Sequence, residues 1–147
     1  MPMNGGSTTV LAGSGSYGFA DGQGTAAVFY SANGFVIHPV TGVMYITDAD
    51  NNRIRTCTLS GNVGTLTGTG TPATYVGNID GSSSVATFWY PYGIIMDSTS
   101  SYLYVSCYFS KNLRKVEIHT VTTTTIIGSR TFRNPGYVID DFHIWSN

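Results

Sequence analysis

Residues 21–68 read DGQGTAAVFYSANGFVIHPVTGVMYITDADNNRIRTCTLSGNVGTLTG, and the same pattern is written a second time further along the chain. Most matched positions lie 59 residues apart, and the closing Leu66-Thr67-Gly68 returns 60 residues later as Ile126-Ile127-Gly128. A fixed period of this length, filled with short runs of β-forming residues, is typical of a protein built from structural repeats. The other matches are Asp21-Gly22 with Asp80-Gly81, Phe29 with Phe88, Gly34 with Gly93, and Met44-Tyr45-Ile46 with Leu103-Tyr104-Val105.

Each copy of the repeat contains four short runs of strand-forming residues, separated by turns rich in Gly, Pro, Asn and Asp. Four antiparallel strands joined by tight turns make a meander, which is the form of one blade of a β-propeller. No apolar run with a 3.6-residue period lasts long enough to predict a helix, so we expect an all-β protein. The predicted strands are 34–38, 43–47, 53–59 and 63–67 in the first copy, and 93–96, 103–107, 113–118 and 122–127 in the second.

Both ends of the sequence match parts of further repeats. Residues 7–13 (STTVLAG) resemble the closing strand of each copy and are expected to form a strand, and residues 131–140 resemble the opening strand with one residue deleted. A second strand is expected at 142–145. We therefore predict one domain over residues 1–147 with two complete blades and no closed ring, because propellers close with about 4–8 blades. The expected divisions are a strand of a preceding blade at 7–13, blade 1 at 14–68, blade 2 at 69–128 and the start of a third blade at 129–147.

Composition narrows the classes of function. Charged residues make up 10% of the chain and the net charge is −1, so no positive field would attract nucleic acid or an anionic membrane. No apolar run approaches the roughly 20 residues of a membrane-spanning helix, and the first ten residues lack the features of a signal peptide. Few charges, abundant hydroxyl residues and 2 cysteines favour an extracellular setting.

Taken together, these motifs resemble the NHL repeats of a family of β-propellers, over residues 7–140. The matching elements are Ala-x-Phe before the first strand, the strand Met44–Asp48 and the run Asn52-Arg53-Ile54-Arg55. The chain departs from the family pattern at Ser31, where a proline is expected, and at Cys107, where the first copy has aspartate. The resemblance implies a propeller that acts as a protein-binding or scaffold domain in most members and as an enzyme in a few.

The run Asp48-Ala49-Asp50-Asn51-Asn52 imitates the start of a calcium-binding loop. Arg53 stands where such a loop needs glycine, and the glutamate of the twelfth position is missing. The second copy, residues 107–111, contains no carboxylate. We therefore interpret the run as a turn whose side chains bond to nearby backbone, and predict no metal site.

No catalytic set has a local signature in this sequence. The three histidines, His38, His119 and His143, show no metal-ligand spacing. The glycine pairs Gly13-x-Gly15 and Gly68-x-Gly70 do not open a helix, so they lack the anion site of a helix N-terminus. We expect no enzyme activity and no cofactor, with a lyase- or lactonase-type propeller, implied by the resemblance, as the least favoured alternative.

Several side chains allow two interpretations. Cys57 and Cys107 lie in corresponding regions of neighbouring repeats, and form either a disulfide in an extracellular protein or two buried free thiols. Aromatic residues in 88–92 and 102–109 either line a ligand surface or pack inside the repeats. The following residues are either O-glycosylation sites or solvated surface: Thr69, Thr71, Ser82, Ser83, Ser84, Thr122 and Thr124.

Two blades alone would expose two apolar faces and open sheet edges, which favours association. Our first hypothesis is an extracellular structural protein that assembles with itself head to tail, through a composite third blade, as a ring or filament. The alternative is a section of a larger propeller that presents a protein- or glycan-binding scaffold. Inside the blades, Ile46 and Val105 occupy equivalent strands and should be buried alike. The predicted assembly residues are Thr8, Val10, Leu11, Phe132, Tyr137, Val138, Ile139, Phe142, Ile144 and Trp145.

Overall fold

The computed structural model describes residues 7–70 and 79–128, which form two antiparallel β-sheets and no α-helix. A three-residue 3₁₀ turn, Gly24–Ala26, precedes the first long strand, and no helix in the described part is long and apolar enough to cross a membrane. The first sheet contains β1 to β5 and the second contains β6 to β9. The strands are β1 Gly22–Gln23, β2 Ala32–Ile37, β3 Met44–Asp48, β4 Arg53–Cys57, β5 Asn62–Thr67, β6 Pro91–Met96, β7 Tyr102–Cys107, β8 Asn112–Glu117 and β9 Thr122–Ile127.

The two sheets are copies of one meander. Their strand orders are β1-β5-β4-β3-β2 and β6-β7-β8-β9. Met44 lies opposite Cys57 in the first sheet, and Leu103 lies opposite Val116 in the second. Each residue of the second pair follows its equivalent in the first pair by 59 positions, so the register is the same. The all-β prediction is confirmed, and the eight strands predicted within the repeats begin and end within two residues of those in the structure.

The change from a 59-residue to a 60-residue period has a definite location. Cys57 pairs with Val63 in the first sheet, whereas Val116 pairs with Thr123 in the second. The hairpin turn between β8 and β9 is therefore one residue longer than the turn between β4 and β5. The pairing of β4 with β5 and that of β8 with β9 both shift register at the same place, before Arg55 and before Arg114, and a bulge of this kind bends the strand and increases its local twist.

The main core lies between the two sheets, where β2 and β3 of the first sheet pack against β6 of the second. Alternate residues of each strand point into this layer because the side-chain period of a strand is two. Each fully buried Val, Leu, Ile or Phe side chain contributes about 1.5–3 kcal/mol of transfer free energy. The buried residues are Tyr45, Ile54, Ala86, Phe88, Ile94, Leu103, Val105, Cys107 and Val116.

Burial differs between equivalent residues of the two sheets. Val105 is fully buried in the core, but Ile46 is only partly buried, on the side of the first sheet that faces away from the second. The expectation that both would be buried alike is therefore wrong for Ile46. The reason is tertiary: the first sheet covers Val105, and no described residue covers Ile46 to the same extent.

Residues 7–13, which were expected to form the closing strand of a preceding blade, form no strand within the described residues, and the edge of the first sheet beside β5 is taken by β1. Gly22 and Gln23 pair with Val63 and Asn62, so this short ladder covers the first two residues of β5. Residues 7–13 run beside it without strand pairing, and the Gly13 N–H donates to the carbonyl of Gly24 at 3.1 Å. The third-blade strands expected at 129–147 lie outside the described residues.

Candidate functional site

The first sheet has an open apolar face, on the side opposite the core. We call it the sheet-1 open face and define it by Phe35, Ile37, Met44 and Ile46. Phe35 is 62% exposed and Ile37 is 48% exposed. A shallow groove of about 250 Å³ follows this face and is also lined by Leu11.

The second sheet has an open face on its own far side. We call it the sheet-2 open face and define it by Ile95, Tyr104, Leu113 and Ile126. Ile95 is 65% exposed, Ile126 is 44% exposed, and the other two are partly buried.

Each open face corresponds, through the repeat, to one of the two surfaces that meet in the core. The sheet-1 open face corresponds to the core surface of the second sheet, and the sheet-2 open face to that of the first. Phe35 and Ile46 correspond to Ile94 and Val105, which the first sheet covers. Ile95, conversely, corresponds to Val36, which packs against the second sheet. Each open face therefore has the pattern of a surface that is already paired elsewhere in the molecule.

A glycine marks the closest backbone approach between the sheets. A Cβ on Gly34 would lie 2.8 Å from the carbonyl oxygen of Tyr92, so only glycine lets β2 come this near to β6. The Thr47 hydroxyl donates to the same Tyr92 carbonyl at 2.8 Å and accepts from the Gly34 N–H at 2.9 Å. This arrangement fixes the spacing of the two sheets.

The second sheet carries the same device on its open side. Gly93 is the equivalent of Gly34, and a Cβ there would meet only the hydroxyl oxygen of Ser106, at 2.8 Å. Ser106 is the equivalent of Thr47 and accepts from the Gly93 N–H at 3.0 Å. Ser106 is exposed, whereas Thr47 is fully buried and donates to the neighbouring sheet.

A buried arginine organises each sheet. Arg55 is fully buried and pairs with both Asp21 and Asp48 at 2.7 Å, and Asp48 is itself fully buried. Arg114 is the equivalent in the second sheet and pairs with Asp80 at 3.0 Å. A buried pair of this type is costly to break because the remaining charge is left without compensation.

Cys107 takes the place of Asp48 in the second sheet and keeps its surroundings. Asp48 accepts from the Tyr30 N–H, from the Asn51 side chain and from Arg55. Around Cys107 the equivalents are the Trp89 N–H, the Ser110 side chain and the charge of Arg114. Burial dominates these three and raises the pKa of the Cys107 thiol to about 11.

The two cysteines are free and buried, which is the second of the alternatives that the sequence left open. Cys107 belongs to the core between the sheets, whereas Cys57 packs with Ala27 and Val63 on the other side of the first sheet. No disulfide joins them in this structure. Burial also raises the pKa of the Cys57 thiol.

An aromatic cluster occupies the end of the second sheet where β6 begins and β7 ends. Tyr90 is at its centre: its ring centroid lies 4.9 Å from that of Phe109, 6.1 Å from Tyr108 and 6.4 Å from Tyr92. Trp89 extends the cluster, 5.6 Å from Phe109. The sequence allowed two interpretations of these residues, a ligand surface or packing inside the repeat. The rings of Tyr92, Tyr108 and Phe109 are exposed.

The calcium-like run is a turn, as interpreted from the sequence. Asp48 is engaged by Arg55, and Asn52 adopts a left-handed backbone with φ of 53°. The Asn52 side-chain oxygen accepts from the N–H of Tyr90, so the turn joins the two sheets. The described residues contain no group of three or more His, Cys, Asp or Glu side chains that could hold a metal ion.

One of the three histidines, His38, has a structural role in a turn. His38 Nδ1 accepts weakly from the N–H groups of Val40 and Thr41, within the turn after β2. Asp97 is its repeat equivalent and accepts from the N–H of Tyr102 in the corresponding turn. A hydrogen bond from Thr99 is the main cause that lowers the pKa of Asp97 to about 2. His119 is exposed, and His143 lies outside the described residues.

The predicted glycosylation and assembly residues are only partly within the described chain. Ser82, Ser83, Ser84 and Thr124 are exposed, whereas Thr69 and Thr122 are partly buried. Thr8, Val10 and Leu11 are exposed. Outside the described residues lie Thr71, Phe132, Tyr137, Val138, Ile139, Phe142, Ile144 and Trp145.

Comparison with known proteins gives matches among solved structures alone, since no protein-family model and no curated protein matches the chain. An auxiliary nutrient binding protein from Bacteroides thetaiotaomicron is 28% identical, with a TM-score of 0.60 over 69% of this chain and 26% of its own. An auxiliary nutrient binding protein from Bacteroides ovatus is also 28% identical, with a TM-score of 0.59 over 68% of this chain and 26% of its own. A Bacteroides thetaiotaomicron protein of unknown function is 29% identical, with a TM-score of 0.59 over 68% and 24%.

These likenesses support a β-propeller-like fold. The chain spans about a quarter of the length of the solved proteins that it matches. Those proteins are therefore much larger than the two sheets described here.

Proposed function

We propose that the chain is a building unit of an NHL-like propeller scaffold, in which the sheet-2 open face of one copy stacks on the sheet-1 open face of the next. The contact is heterologous, so it repeats head to tail and closes as a ring or continues as a filament. The observation that carries the proposal is the equivalence between the two open faces and the two surfaces already paired in the core.

The backbone features of the internal contact support the same direction of stacking. Gly93 leaves room for a carbonyl group of a following sheet, as Gly34 does for Tyr92. The exposed Ser106 hydroxyl can then donate to that carbonyl, as Thr47 does between the two sheets. The contact would be mainly apolar, because the residues that define both faces are uncharged.

The solved structures support the scaffold part of this proposal. Two of them are named as auxiliary nutrient binding proteins, and the likeness covers about two thirds of this chain. A binding role for a propeller-like unit is consistent with those names. We propose no catalytic activity for the chain, and we retain the extracellular setting as a proposal based on its low charge and abundant hydroxyl groups.

The experiment uses one blocked variant for each face. Phe35→Asp places a charge on the sheet-1 open face, and Ile95→Asp places one on the sheet-2 open face. Multi-angle light scattering should show concentration-dependent assembly of the wild-type chain, and each variant alone should remain monomeric. An equimolar mixture should form a one-to-one dimer, because each variant keeps the face that the other has lost.

The same measurements show whether the neighbouring blade comes from a second copy of this chain or from other polypeptide. A wild-type chain that stays monomeric at high concentration would overturn self-assembly and leave the alternative, in which other polypeptide covers the faces. As a control, Val40→Asp changes an exposed apolar residue in the turn after β2, and it should assemble like the wild type.

The composite third blade is a finer form of this proposal. Leu11 lies on the groove of the sheet-1 open face, so the head segment is close to the expected contact. Removal of residues 131–147 tests the contribution of the tail. Normal assembly of the truncated chain would reject the composite blade while leaving face-to-face stacking intact.

A further inference from the structure

The aromatic cluster of the second sheet is not required by the repeat. It consists of Trp89, Tyr90, Tyr92, Tyr108 and Phe109, whereas the first sheet has Tyr30, Ser31, Asn33, Ala49 and Asp50 at the same positions. The backbone is nevertheless the same, since Tyr90 and Ser31 both have left-handed φ values, of 57° and 76°. Four of the five positions thus carry aromatic rings in one sheet alone, although the fold accepts small or polar residues there.

We propose that this cluster is a binding platform for a neutral carbohydrate chain. The inference rests on the proposed scaffold function and supplies its ligand class. Tyr92 is 53% exposed, Tyr108 is 56% exposed and Phe109 is 45% exposed. An exposed apolar patch of this kind, at the loop end of a sheet, is characteristic of an interaction site.

The platform is held in place before any ligand arrives. The backbone of Tyr90 accepts from the Tyr108 N–H at 2.9 Å, and its own N–H donates to the Asn52 side chain at 2.8 Å. The rings of Tyr108 and Phe109 also contact each other edge to face, with centroids 5.2 Å apart. Side chains that are fixed in this way lose little conformational entropy on binding.

The chemistry of the cluster fits a sugar ring. A pyranose has faces of C–H groups, which pack on aromatic rings by dispersion, and a rim of hydroxyl groups that need polar partners. A tyrosine combines an apolar ring with a polar hydroxyl in one rigid side chain. Tyr90, Tyr92 and Tyr108 supply three such hydroxyls within the cluster.

The charges around the cluster favour a neutral ligand. The Lys111 ammonium lies 4.3 Å from the centroid of Tyr108. That contact already engages the ammonium with the ring face, and no basic stripe of the kind that binds polyanions is present in the sequence. A neutral polar chain satisfies the hydroxyls without requiring a second charge.

The cluster lies beside the surface proposed for assembly. Its members lie at the start of β6, the end of β7 and the adjoining loops, whereas Ile95 lies near the other end of β6. Tyr92 directly precedes Gly93, where the next sheet is proposed to approach, so assembly is measured on the same samples as binding.

The test is affinity gel electrophoresis of the full-length chain in gels that contain amylopectin, dextran, xylan, glucomannan or mixed-linkage β-glucan. At least one of these neutral polysaccharides should retard the wild-type chain. The double variant Tyr92→Asn, Tyr108→Ala carries the residues of the first sheet, so it should fold and bind at least tenfold more weakly. Its matched control is Tyr102→Val, which also carries the first-sheet residue, lies outside the cluster and should bind as well as the wild type.

Absence of retardation in all five gels would overturn the proposal, and so would equal binding by the double variant and the wild type. Binding to an aromatic peptide without binding to any polysaccharide would overturn it as well. Circular dichroism establishes that the variants are folded. Light scattering on the same samples reports assembly independently, so a failure of carbohydrate binding is distinguishable from a failure of the proposed stacking.

Discussion

At the residue scale, comparison of the two repeats identifies a strained backbone conformation at one turn position. Gly61 and Val121 occupy the last position of equivalent hairpin turns, with φ values of 85° and 51°. A β-branched residue is strained in this left-handed region, whereas glycine is not. We expect Val121→Gly to raise the free energy of unfolding by about 1 kcal/mol. The reverse change, Gly61→Val, should lower it by at least about 2 kcal/mol, because its Cβ would also lie 2.5 Å from the carbonyl oxygen of Leu11. Chemical denaturation measures both, and equal destabilisation by the two variants would contradict the argument.

The Asp48 and Cys107 positions allow a reciprocal exchange. Asp48→Cys removes one of the two carboxylates that compensate Arg55, and we expect a loss of about 1–3 kcal/mol in stability. Cys107→Asp places a carboxylate beside two hydrogen-bonding groups and the positive charge of Arg114, the equivalents of those around Asp48, so it should cost less than Asp48→Cys. Urea unfolding of the two variants tests this order. A larger loss for Cys107→Asp would mean that the second site no longer accommodates a carboxylate.

The buried Cys107 thiol also predicts a pH dependence. Burial raises its pKa from 9.0 to about 11, so the folded state holds this proton more tightly than the unfolded state. The resulting stabilisation is fully present below pH 9 and is lost as the pH rises from about 9 to 11. The unfolding free energy of the wild type should therefore fall more steeply over this range than that of Cys107→Ser, which has no titrating thiol. Parallel pH profiles for the two proteins would refute the assignment.

At the scale of the strand, the repeat provides a matched pair of glycines. Gly34→Ala should destabilise the contact between the sheets by about 1–3 kcal/mol, since its Cβ would meet the backbone carbonyl of Tyr92. Gly93→Ala should cost much less in the monomer, because it meets only the Ser106 hydroxyl. In the proposed assembly, however, Gly93→Ala should weaken stacking. Thermal unfolding at low concentration and light scattering at high concentration measure the two effects. A Gly93→Ala chain that assembles like the wild type would exclude a backbone contact at Gly93.

At the scale of the whole molecule, the open faces make the cost of core mutations depend on assembly. Val105→Ala should cost about 2–3 kcal/mol in the monomer, whereas Ile46→Ala should cost less because Ile46 is only partly buried. Stacking would bury Ile46, so its cost should approach that of Val105 as the protein concentration rises. Denaturation of both variants at low and high concentration checks this. A cost for Ile46→Ala that does not change with concentration would argue against burial of this face in an assembly.

Local pattern was sufficient to predict the strands, the two-fold repetition and the turn at Asp48–Asn52, because side-chain alternation and turn chemistry act over a few residues. The pattern did not predict that Gly22 and Gln23 would pair with β5, or that residues 7–13 would form no strand. It also did not separate Ile46 from Val105, which have the same place in their repeats. Those outcomes depend on which surfaces meet, and identical local patterns can be covered or open according to their neighbours.

The candidate carbohydrate platform shows the same division. The sequence contains the aromatic residues but does not tell whether Tyr90, Tyr92, Tyr108 and Phe109 belong to a core or to a surface. Their grouping arises because antiparallel pairing brings the start of β6 beside the end of β7. The buried ion pairs of Arg55 likewise join residues that are up to 34 positions apart. Strand identity is a local property of the chain, whereas exposure and the meeting of distant side chains are set by packing in three dimensions.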